Sequence, residues 1–499
     1  PQRRALTPGH RRRASERLVI RYGFPNPVAL PYTQVTKIIS EGVSITMQNR
    51  IKAALLVGSL AAGSAFAAVS PEQAAELGKT LTPMGAEMAG NADGSIPAWD
   101  PTGGPVPAGF VPGSGHFPDA YPDEKPLYTI DASNWKQYED QLTVGTKGMF
   151  EKYGADGWKL HVYPTHRTST RPDWYYANTA KNATGANLVA DGQKIEGNYP
   201  GLPFPMPQSG LEAIWNHMIR YGTDSNQDYD TYYVDSSGKA VLATSAHSVS
   251  VYPMFKEPDE PVGEKIWTML RIDYNAPARR AGEILLVHEP GADYTAGKGR
   301  KAWQYLVGQR RVRLAPAVSF DTPNPGVAGT TTYDDSFVYN GSPERFNWKL
   351  VGKKEIIVPA NNNKFVFEMD VEKALGPKFF DPEAIRWEKR RVWIVDSTLK
   401  EGQRHLYSRR TFYLDEDSWV AVSGEMYDGR GNLWRLQYIY PAVQYGNNND
   451  FVSSYGAYDL LQNIYNINGK PIPGKFKSGS GVSDDKYFTP KGMARSGVR

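Results

Sequence analysis

From about Tyr232 to Pro441, the chain is a series of short segments in which apolar and polar residues alternate. An alternation with a period of two is typical of a β-strand with one buried face. Turn residues separate the segments, and strands that no helix separates pair in antiparallel order. This stretch therefore predicts a long antiparallel meander, which must curl to cover its apolar face. We expect tryptophan and tyrosine rings on its concave side.

The predicted fold class is mainly β with α (α+β), built on a large curved antiparallel sheet or half-barrel. Short helices should close the concave side, and long Pro/Gly-rich loops should connect the other elements. Residues 232–442 form the predicted β core, and residues 68–231 form a helix- and loop-rich part that packs on the sheet. Residues 443–499 are predicted to be a partly disordered extension with one weak helical pattern, from Tyr458 to Tyr465. The stretch KFVFEMD is assigned to a strand.

The clearest hairpin is KAWQYLVGQRRVRLAP, residues 301–316. Gly308 begins a predicted two-residue type II′ turn, which pairs Tyr305 with Val312. One face of the hairpin is then apolar and aromatic, and the other is cationic. The cationic residues are Arg310, Arg311 and Arg313. They either solubilise the ribbon, bind an anionic head group or a partner, or take part in catalysis.

Two groups of residues are candidates for a ligand site. Aromatic residues on the predicted strands line a cavity in one interpretation and fill an ordinary core in the other; they are Trp303, Tyr305, Trp393, Tyr413, Trp434 and Tyr438. A helix that precedes the strands begins with a capping box of Ser209 and Glu212. We predict that this helix is a lid for the sheet, with an apolar stripe made of Leu211, Ile214, Trp215 and Met218.

A secretory signal peptide is predicted at residues 47–67. It has positive charges at Arg50 and Lys52, an apolar run, and a small-x-small cleavage site that ends at Ala67. Since signal peptides act at the N-terminus, we interpret residues 1–46 as translated upstream sequence that is disordered. The chain has no cysteine and therefore no lipobox, so the expected product is an unlipidated periplasmic protein.

Composition restricts the classes of partner. The whole chain has a formal charge of +4, to which residues 1–46 contribute +6 and the signal peptide +2, leaving −4 for residues 68–499. A negative domain gives no support for a nucleic-acid partner. Beyond the signal peptide, no apolar run reaches the roughly 18 residues that a membrane-spanning helix needs. We therefore expect neither nucleic acid as a partner nor a transmembrane segment.

Enzyme motifs are scarce. The chain contains neither the G-x-S-x-G nor the H-E-x-x-H motif. His161 and His166 suggest a metal site, but loop histidines bonded to water or backbone are the simpler interpretation. The best acidic pair for acid/base catalysis is Asp334-Asp335, for which a solvated turn or an ion pair with the three hairpin arginines is the simpler explanation. We predict no catalytic residue, no metal and no cofactor.

Several segments carry a family resemblance, among them LGKTLTPMGAEMAGNADGSIPAWD, GLPFPMPQSGLEAIWNH and RRVWIVDSTLKEGQRH. They resemble the uncharacterised Gram-negative family called domain of unknown function 1329, from the signal peptide to the C-terminus. The W-x-Y…R-V-R hairpin is similar to that of outer-membrane lipoprotein-sorting carriers. The resemblance implies a half-barrel of the lipoprotein-carrier type, closed by helices over a hydrophobic hollow. It also implies work near the outer membrane, beside a resistance-nodulation-division exporter or an outer-membrane protein, and it supplies no catalytic residues.

These observations leave three hypotheses for the function. The first is a non-enzymatic periplasmic carrier that binds a lipid or another hydrophobic small molecule and takes part in its transport. The second is a periplasmic hydrolase or glycan-binding enzyme that uses Asp334, Asp335 and the aromatic rings. The third is an envelope scaffold. The most informative observation would be a cavity: its volume, its lining, and whether the predicted lid helix covers it.

Overall fold

The computed structural model describes residues 69–315, 318, 320–446 and 449–496. The predicted upstream extension and the predicted signal peptide lie outside the described residues. Among the described residues, no helix is both long enough and apolar enough to cross a membrane.

The α-helices are short, and the strands account for most of the regular structure. The helices are α1 (Pro71–Ala74), α2 (Val144–Tyr153), α3 (Asp173–Gly185), α4 (Gly210–Met218), α5 (Val371–Ala374) and α6 (Pro490–Ser496). Lys364–Glu368 is a π-helix, and 3₁₀ turns include Trp135–Gln141, Val307–Gln309, Tyr333–Asp335 and Asp485–Phe488. The strands are β1 (Tyr128–Ile130), β2 (Leu160–Tyr163), β3 (Asn187–Val189), β4 (Lys194–Glu196), β5 (Ser225–Val234), β6 (Ala240–Val251), β7 (Ile266–Ala276), β8 (Ile284–Pro290), β9 (Lys301–Leu306), β10 (Arg311–Leu314), β11 (Phe346–Pro359), β12 (Trp387–Leu399), β13 (Arg409–Asp415), β14 (Ala421–Tyr427), β15 (Leu433–Ile439), β16 (Ala442–Gln444), β17 (Asn449–Phe451), β18 (Tyr455–Asp459), β19 (Ile464–Ile467) and β20 (Pro471–Ser478).

One large sheet dominates the fold. Its order is β1-β2-β12-β13-β14-β15-β18-β19-β5-β6-β7-β8-β9-β10, with β11 paired to β12 and β20 paired to β5. The two ends of this order do not pair with each other, so the sheet is open. In the described part of the chain, the pairs of this sheet are antiparallel except for β12 with β2. The predicted fold class, mainly β around a large and mostly antiparallel sheet, is confirmed.

The predicted meander is found in strands β5 to β10, which are neighbours both in the chain and in the sheet. The register of the predicted hairpin is confirmed, since Tyr305 pairs with Val312. The predicted type II′ turn is wrong. Residues Val307–Gln309 form a 3₁₀ turn, and Arg310 has φ 47°, so the left-handed position of the loop falls on an arginine. The strand pattern set the register without determining the geometry of the turn.

Two predicted elements have a different structure. KFVFEMD begins with the π-helix rather than a strand, because Phe365, Val366 and Phe367 are all buried and leave no polar face that alternation could detect. Tyr458 to Tyr465 is not a helix but the hairpin of β18 and β19. These two strands connect β15 to β5, so the main sheet extends past the predicted boundary at residue 442.

Buried ion pairs hold the segment around residues 87–89 against the sheet. The Arg167 guanidinium pairs with Asp417, with Nη2–Oδ1 at 2.7 Å, and donates to the backbone carbonyl of Glu87 at 2.7 Å. Arg391 pairs with Glu416 at 3.0 Å and donates to the carbonyl of Ala89. Two buried arginines therefore fix a stretch that has little regular structure of its own.

The part of the sheet made by β6–β9 is covered on both faces. Successive side chains of a strand point to opposite faces, and the outer face packs on the C-terminal segment through Leu286, Tyr305, Phe488 and Met493. The inner face includes Leu285 and Val287 and lies under residues 320–340, which we call the cover segment. The C-terminal helix α6 and the cover segment thus lie on opposite sides of the same strands.

Candidate functional site

A partly open cavity lies between strands β5–β8 and the cover segment. It has two adjoining chambers, each with a volume of about 100 Å³. Both chambers are lined by Tyr229, Leu270, Ile272, Val287, Phe337 and Tyr455. The first chamber extends to Tyr252 and Trp267, and the second extends to Tyr274 and Leu285. Glu289, Asn340 and Asn468 also line both chambers. The apolar and aromatic side chains can hold a hydrophobic ligand by burial.

Small side chains on β6 leave room for the cavity. Thr244, Ser248 and Ser250 lie on the inner face of this strand and line the chambers. Val249 and Val251 point to the outer face and pack near α6. Because protein interiors are otherwise close-packed, a row of small residues facing the cover segment leaves space that its neighbours do not fill.

A buried ion pair forms the polar part of the cavity wall. Arg300 Nε donates to Glu289 Oε1 at 2.5 Å, and Arg300 Nη1 donates to the Val318 carbonyl at 2.7 Å. Asn340 Nδ2 also donates to Glu289 Oε1, at 3.2 Å. Within the described residues, two acceptors in the wall, Gln227 Oε1 and Asn340 Oδ1, have no hydrogen-bond partner. The wall therefore combines an ion pair whose charges neutralise each other with two polar atoms that can accept a hydrogen bond from a ligand.

The acidic pair predicted from the sequence anchors the cover segment. Asp334 and Asp335 are buried in a 3₁₀ turn, and Arg410, which is 0% exposed, pairs with both carboxylates at 3.0 and 2.8 Å. Tyr407 Oη donates to Asp335 Oδ2 at 2.7 Å, and His405 Nε2 lies 2.9 Å from Asp334 Oδ2. Both simpler interpretations made from the sequence are wrong in detail, because the turn is not solvated and the cation is not one of the three hairpin arginines.

The charges around Asp334 keep it ionised. Burial alone would raise the pKa of this carboxyl, but the attraction of Arg410 and the hydrogen bond from His405 outweigh burial and hold the pKa below its usual value. Since the carboxylate is buried and fully engaged, it is poorly suited to donate a proton to a substrate. Asp334 therefore serves as an anchor in this fold.

The cover segment has a strained backbone where it meets the cavity. Phe337 has φ 55° and Val338 has φ 71°, in the left-handed region that side chains with a Cβ rarely adopt. Such strain costs about 1–3 kcal/mol per residue and persists only where the surroundings enforce it. Here Arg410 Nη2 donates to the Val338 carbonyl at 3.3 Å, beside the two anchoring carboxylates. The strain is therefore located at the residue whose ring lines the cavity.

The six aromatic residues proposed from the sequence do not form one cavity. Trp303 and Tyr305 lie on the outer face with the C-terminal segment. Trp393 and Tyr413 belong to the core around α4, whereas Tyr438 lies in a separate core and contacts Thr146. The sixth residue, Trp434, donates from Nε1 to Asp459 at 2.8 Å. None of the six lines the cavity beneath the cover segment, and Trp303 lines a separate pocket of about 500 Å³ together with His288 and Lys301.

The predicted lid helix, α4, begins at the predicted cap, where Ser209 Oγ accepts from the Glu212 amide at 3.2 Å. Its apolar stripe lies in the core, with Ile214 and Trp215 both 0% exposed. The helix packs on β11 and β12. It also contacts the loop between β3 and β4, where Trp215 Nε1 donates to the Gly192 carbonyl at 2.8 Å. Because protein surrounds it, α4 is a core helix, and the cover segment occupies the position expected for a lid.

The three arginines of the hairpin are all exposed at the end strand β10 and its turn. Within the described residues, none of them is in an ion pair with a carboxylate. Arg311 and Arg313 pair in register with Leu306 and Gln304, and neither arginine lines the cavity. The structure therefore separates this cationic patch from the cavity.

Sequence reasoning missed Arg220, which is buried beside the first chamber. Its guanidinium carbon lies 5.2 Å from the centre of the Trp267 ring and 4.9 Å from the centre of the Phe337 ring. Burial lowers the pKa of this arginine to about 10. The available signal was its position in IWNHMIRYG, since a lone arginine in a stretch whose apolar residues predict burial indicates a cation removed from water.

The fold and the cavity define a mainly β protein with a small, partly apolar cavity under a loop. The chain belongs to the family described as protein of unknown function DUF1329, whose model matches residues 129–494. An uncharacterized protein of Pseudomonas aeruginosa is 40% identical to it over 453 residues, which are 89% of this chain and 98% of the relative. The resemblance seen in the sequence is thereby confirmed at the level of the family.

Similar solved structures are more distant. A domain from Vibrio parahaemolyticus described as an outer membrane lipoprotein-sorting protein is 14% identical, with a TM-score of 0.38, and the match covers 57% of this chain and 98% of that domain. A DUF1329 family protein from Desulfovibrio piger is also 14% identical, with a TM-score of 0.37, over 56% of this chain and 95% of its own. A LolA superfamily protein from Nitrosomonas europaea is 10% identical, with a TM-score of 0.33, over 57% and 98%.

Proposed function

We propose that this protein is a non-enzymatic carrier that binds a small hydrophobic molecule or a lipid chain between β5–β8 and the cover segment. The observation that carries this proposal is the cavity itself, a space with apolar and aromatic side chains in its lining, under a cover with a strained backbone. Burial of hydrocarbon contributes about 0.8 kcal/mol for each CH₂ group. An eight-carbon chain would thus gain about 6 kcal/mol before the costs of binding.

The volume of the cavity restricts how the ligand enters. Each chamber measures about 100 Å³, whereas sites for small molecules usually measure about 300–1,000 Å³. A long acyl chain therefore fits entirely within the cavity only if the cover segment moves outward. Phe337 is the expected gate, because its ring lines both chambers and its backbone would relax on release from φ 55°. Asp334 and Asp335 remain paired to Arg410 and act as the hinge anchor.

A carrier is a better match to the acidic pair than a hydrolase. The hydrolase hypothesis assigned the chemistry to Asp334 and Asp335, and both carboxylates are committed to Arg410. A general acid or base must reach the proton that it transfers. We infer that no reaction in the cavity uses this pair.

The proposed location is the periplasm. The support is the signal-like sequence that ends at Ala67. A role near the outer membrane, beside an exporter or an outer-membrane protein, is the part of the proposal that rests on the family resemblance alone. Capture of such a partner by protein from which the ligand has been removed would instead favour the scaffold hypothesis.

The test combines native mass spectrometry of the protein purified from periplasm with uptake of saturated fatty acids of 8 to 16 carbons by delipidated protein. Affinity should rise by about fourfold for each CH₂ until the cavity is full. Ser248→Phe fills the inner face of β6 and should abolish uptake. His247→Phe is the matched control, because it places the same ring on the other face of β6, at a side chain that is 40% exposed. A ligand-free mass together with no uptake of any chain length would refute the carrier function.

A further inference from the structure

One buried arginine differs from the others. The arginines classed as buried in the described residues are Arg167, Arg171, Arg220, Arg271, Arg280, Arg386, Arg390, Arg391, Arg410 and Arg435. All of them except Arg220 form an ion pair with an aspartate or a glutamate of the chain. Arg220 is 5% exposed and, within the described residues, has no carboxylate at ion-pair distance.

The contacts of Arg220 leave much of its guanidinium unused. Its Nη1 donates to the His217 carbonyl at 2.9 Å, which is the one side-chain hydrogen bond that it makes to the described part of the chain. Aromatic rings of Trp267 and Phe337 cover the group. A guanidinium carries five N–H donors and keeps its charge, so most of its capacity to bind an anion is not taken up by this chain.

The cation lies against the wall of the proposed ligand site. Trp267 and Phe337 both line the first chamber, together with Tyr252 and Tyr455. Phe337 belongs to the cover segment and is the ring that must move when a ligand enters. In the conformation described, this ring covers the guanidinium at 4.9 Å. Displacing it would bring Arg220 into contact with the chamber.

Burying a charge without a counter-ion is unfavourable, and proteins usually pair such charges. Cation–π contacts offset a part of this cost. An arginine that stabilised the fold alone would be expected to have a carboxylate partner, as the other buried arginines of this chain have. A counter-ion supplied by the ligand would complete the pairing that the chain leaves open.

Building on the proposed carrier function, we propose that Arg220 binds the anionic head group, a carboxylate or a phosphate, of an amphipathic ligand whose hydrocarbon part occupies the cavity. The first chamber holds the head group near Trp267, and the strands with Leu270, Ile272 and Val287 hold the chain. A guanidinium can bind either anion through two parallel hydrogen bonds. The ligand class is then fatty acids or single-chain phospholipids rather than neutral lipids.

The experiment measures the affinity of the whole protein for decanoate, decyl phosphate and decanol, which share one chain and differ in the head group. The wild type should bind the two anions about 10- to 100-fold more tightly than decanol, the range expected for hydrogen bonds to a charged group. Arg220→Met should remove this preference while decanol still binds. Arg220→Lys should keep a part of it, and the control Arg311→Met, which removes an exposed arginine of the hairpin, should keep all of it.

The outcomes separate this inference from the carrier function. Equal binding of decanol and the anions by the wild type, or a preference that survives in Arg220→Met, overturns the role of Arg220 and leaves the carrier function standing. Binding of none of the three probes by the wild type overturns this inference, and the carrier function falls with it only if the native mass is ligand-free and no fatty acid of 8 to 16 carbons is taken up. Inorganic phosphate that competes with decyl phosphate at equal concentration overturns the assignment to a lipid head group.

A measurement on the wild type covers the case in which Arg220→Met does not fold. The side-chain ¹⁵N resonance of Arg220 should shift when decanoate is added and stay in place when decanol is added. The same response to both probes would overturn the inference without any substitution.

Discussion

Replacing Arg410 by leucine tests the anchor of the cover segment most directly. The guanidinium pairs with Asp334 at 3.0 Å and with Asp335 at 2.8 Å, and all three side chains are at most 6% exposed. The substitution leaves two carboxylates buried without their cation, which costs about 3–5 kcal/mol when a buried pair is broken. This loss is a large part of the roughly 5–15 kcal/mol that stabilises a typical domain.

The pH dependence of the same variant gives a second signature. In the wild type the pKa of Asp334 is below its usual value, so the folded protein binds fewer protons than the unfolded chain. Its stabilising contribution is complete above an unfolded pKa of about 3.9 and is lost as the pH falls through the folded pKa. In Arg410→Leu, burial is no longer opposed by Arg410 and raises the pKa of the carboxyl. The unfolding free energy that the variant loses relative to the wild type should therefore be largest at neutral pH and become smaller toward about pH 4.

The assay is urea unfolding of the wild type and Arg410→Leu between pH 4 and pH 8. The control is the triple variant Asp334→Asn, Asp335→Asn, Arg410→Leu, in which the carboxylates become neutral and most of the lost stability should return. A decrease in unfolding free energy below about 1 kcal/mol for Arg410→Leu would mean that the interaction is as weak as an exposed ion pair. That result, or an undiminished loss in the triple variant, would refute the reasoning.

Three further predictions concern other parts of the fold. Lys470 is 2% exposed, and burial lowers its pKa to about 8, so the unfolded chain binds more protons than the folded protein above that pH. The unfolding free energy of the wild type minus that of Lys470→Met should therefore rise by about 2 kcal/mol from pH 7 to pH 10 in denaturant titrations. A difference that does not change with pH would contradict this prediction. A chain that ends at Asp484 lacks the buried Phe488 and Met493. Its unfolding free energy should fall by about 3–6 kcal/mol, which lowers the midpoint of urea unfolding. The control Met493→Leu should lower the unfolding free energy by less than about 1.5 kcal/mol. Arg167→Met should expose residues 87–97 to limited proteolysis, since this arginine holds their carbonyls, while Arg409→Met at the partly exposed pair with Asp396 should leave the digestion pattern unchanged.

Strand alternation predicted the fold class and much of the pairing. The period-two pattern identified strands β6 to β15, and the hairpin register followed from apolar residues on one face and arginines on the other. These features are local, because successive side chains on a strand point to opposite faces whatever lies beyond them. The same rule failed at KFVFE, where consecutive residues are buried and no polar face exists.

The tertiary structure decided which face of the sheet became the inside. Trp303 and Tyr305 looked like the lining of a hollow, but the C-terminal segment, about 180 residues later, covers their face, and the cover segment takes the other. A strand with two usable faces does not specify which distant segment packs on each. The partner of Asp334 was likewise out of reach, because Arg410 is 76 positions away in the chain.

The sequence by itself therefore determined the two-residue period of the strands, the register of the hairpin and the family of this protein. What only the tertiary structure decided is the cavity, its anchor and the isolation of Arg220, since each depends on segments that meet through long-range packing. A charge becomes unusual only when burial removes its water and leaves it without a counter-ion, and burial is a property of the assembled fold.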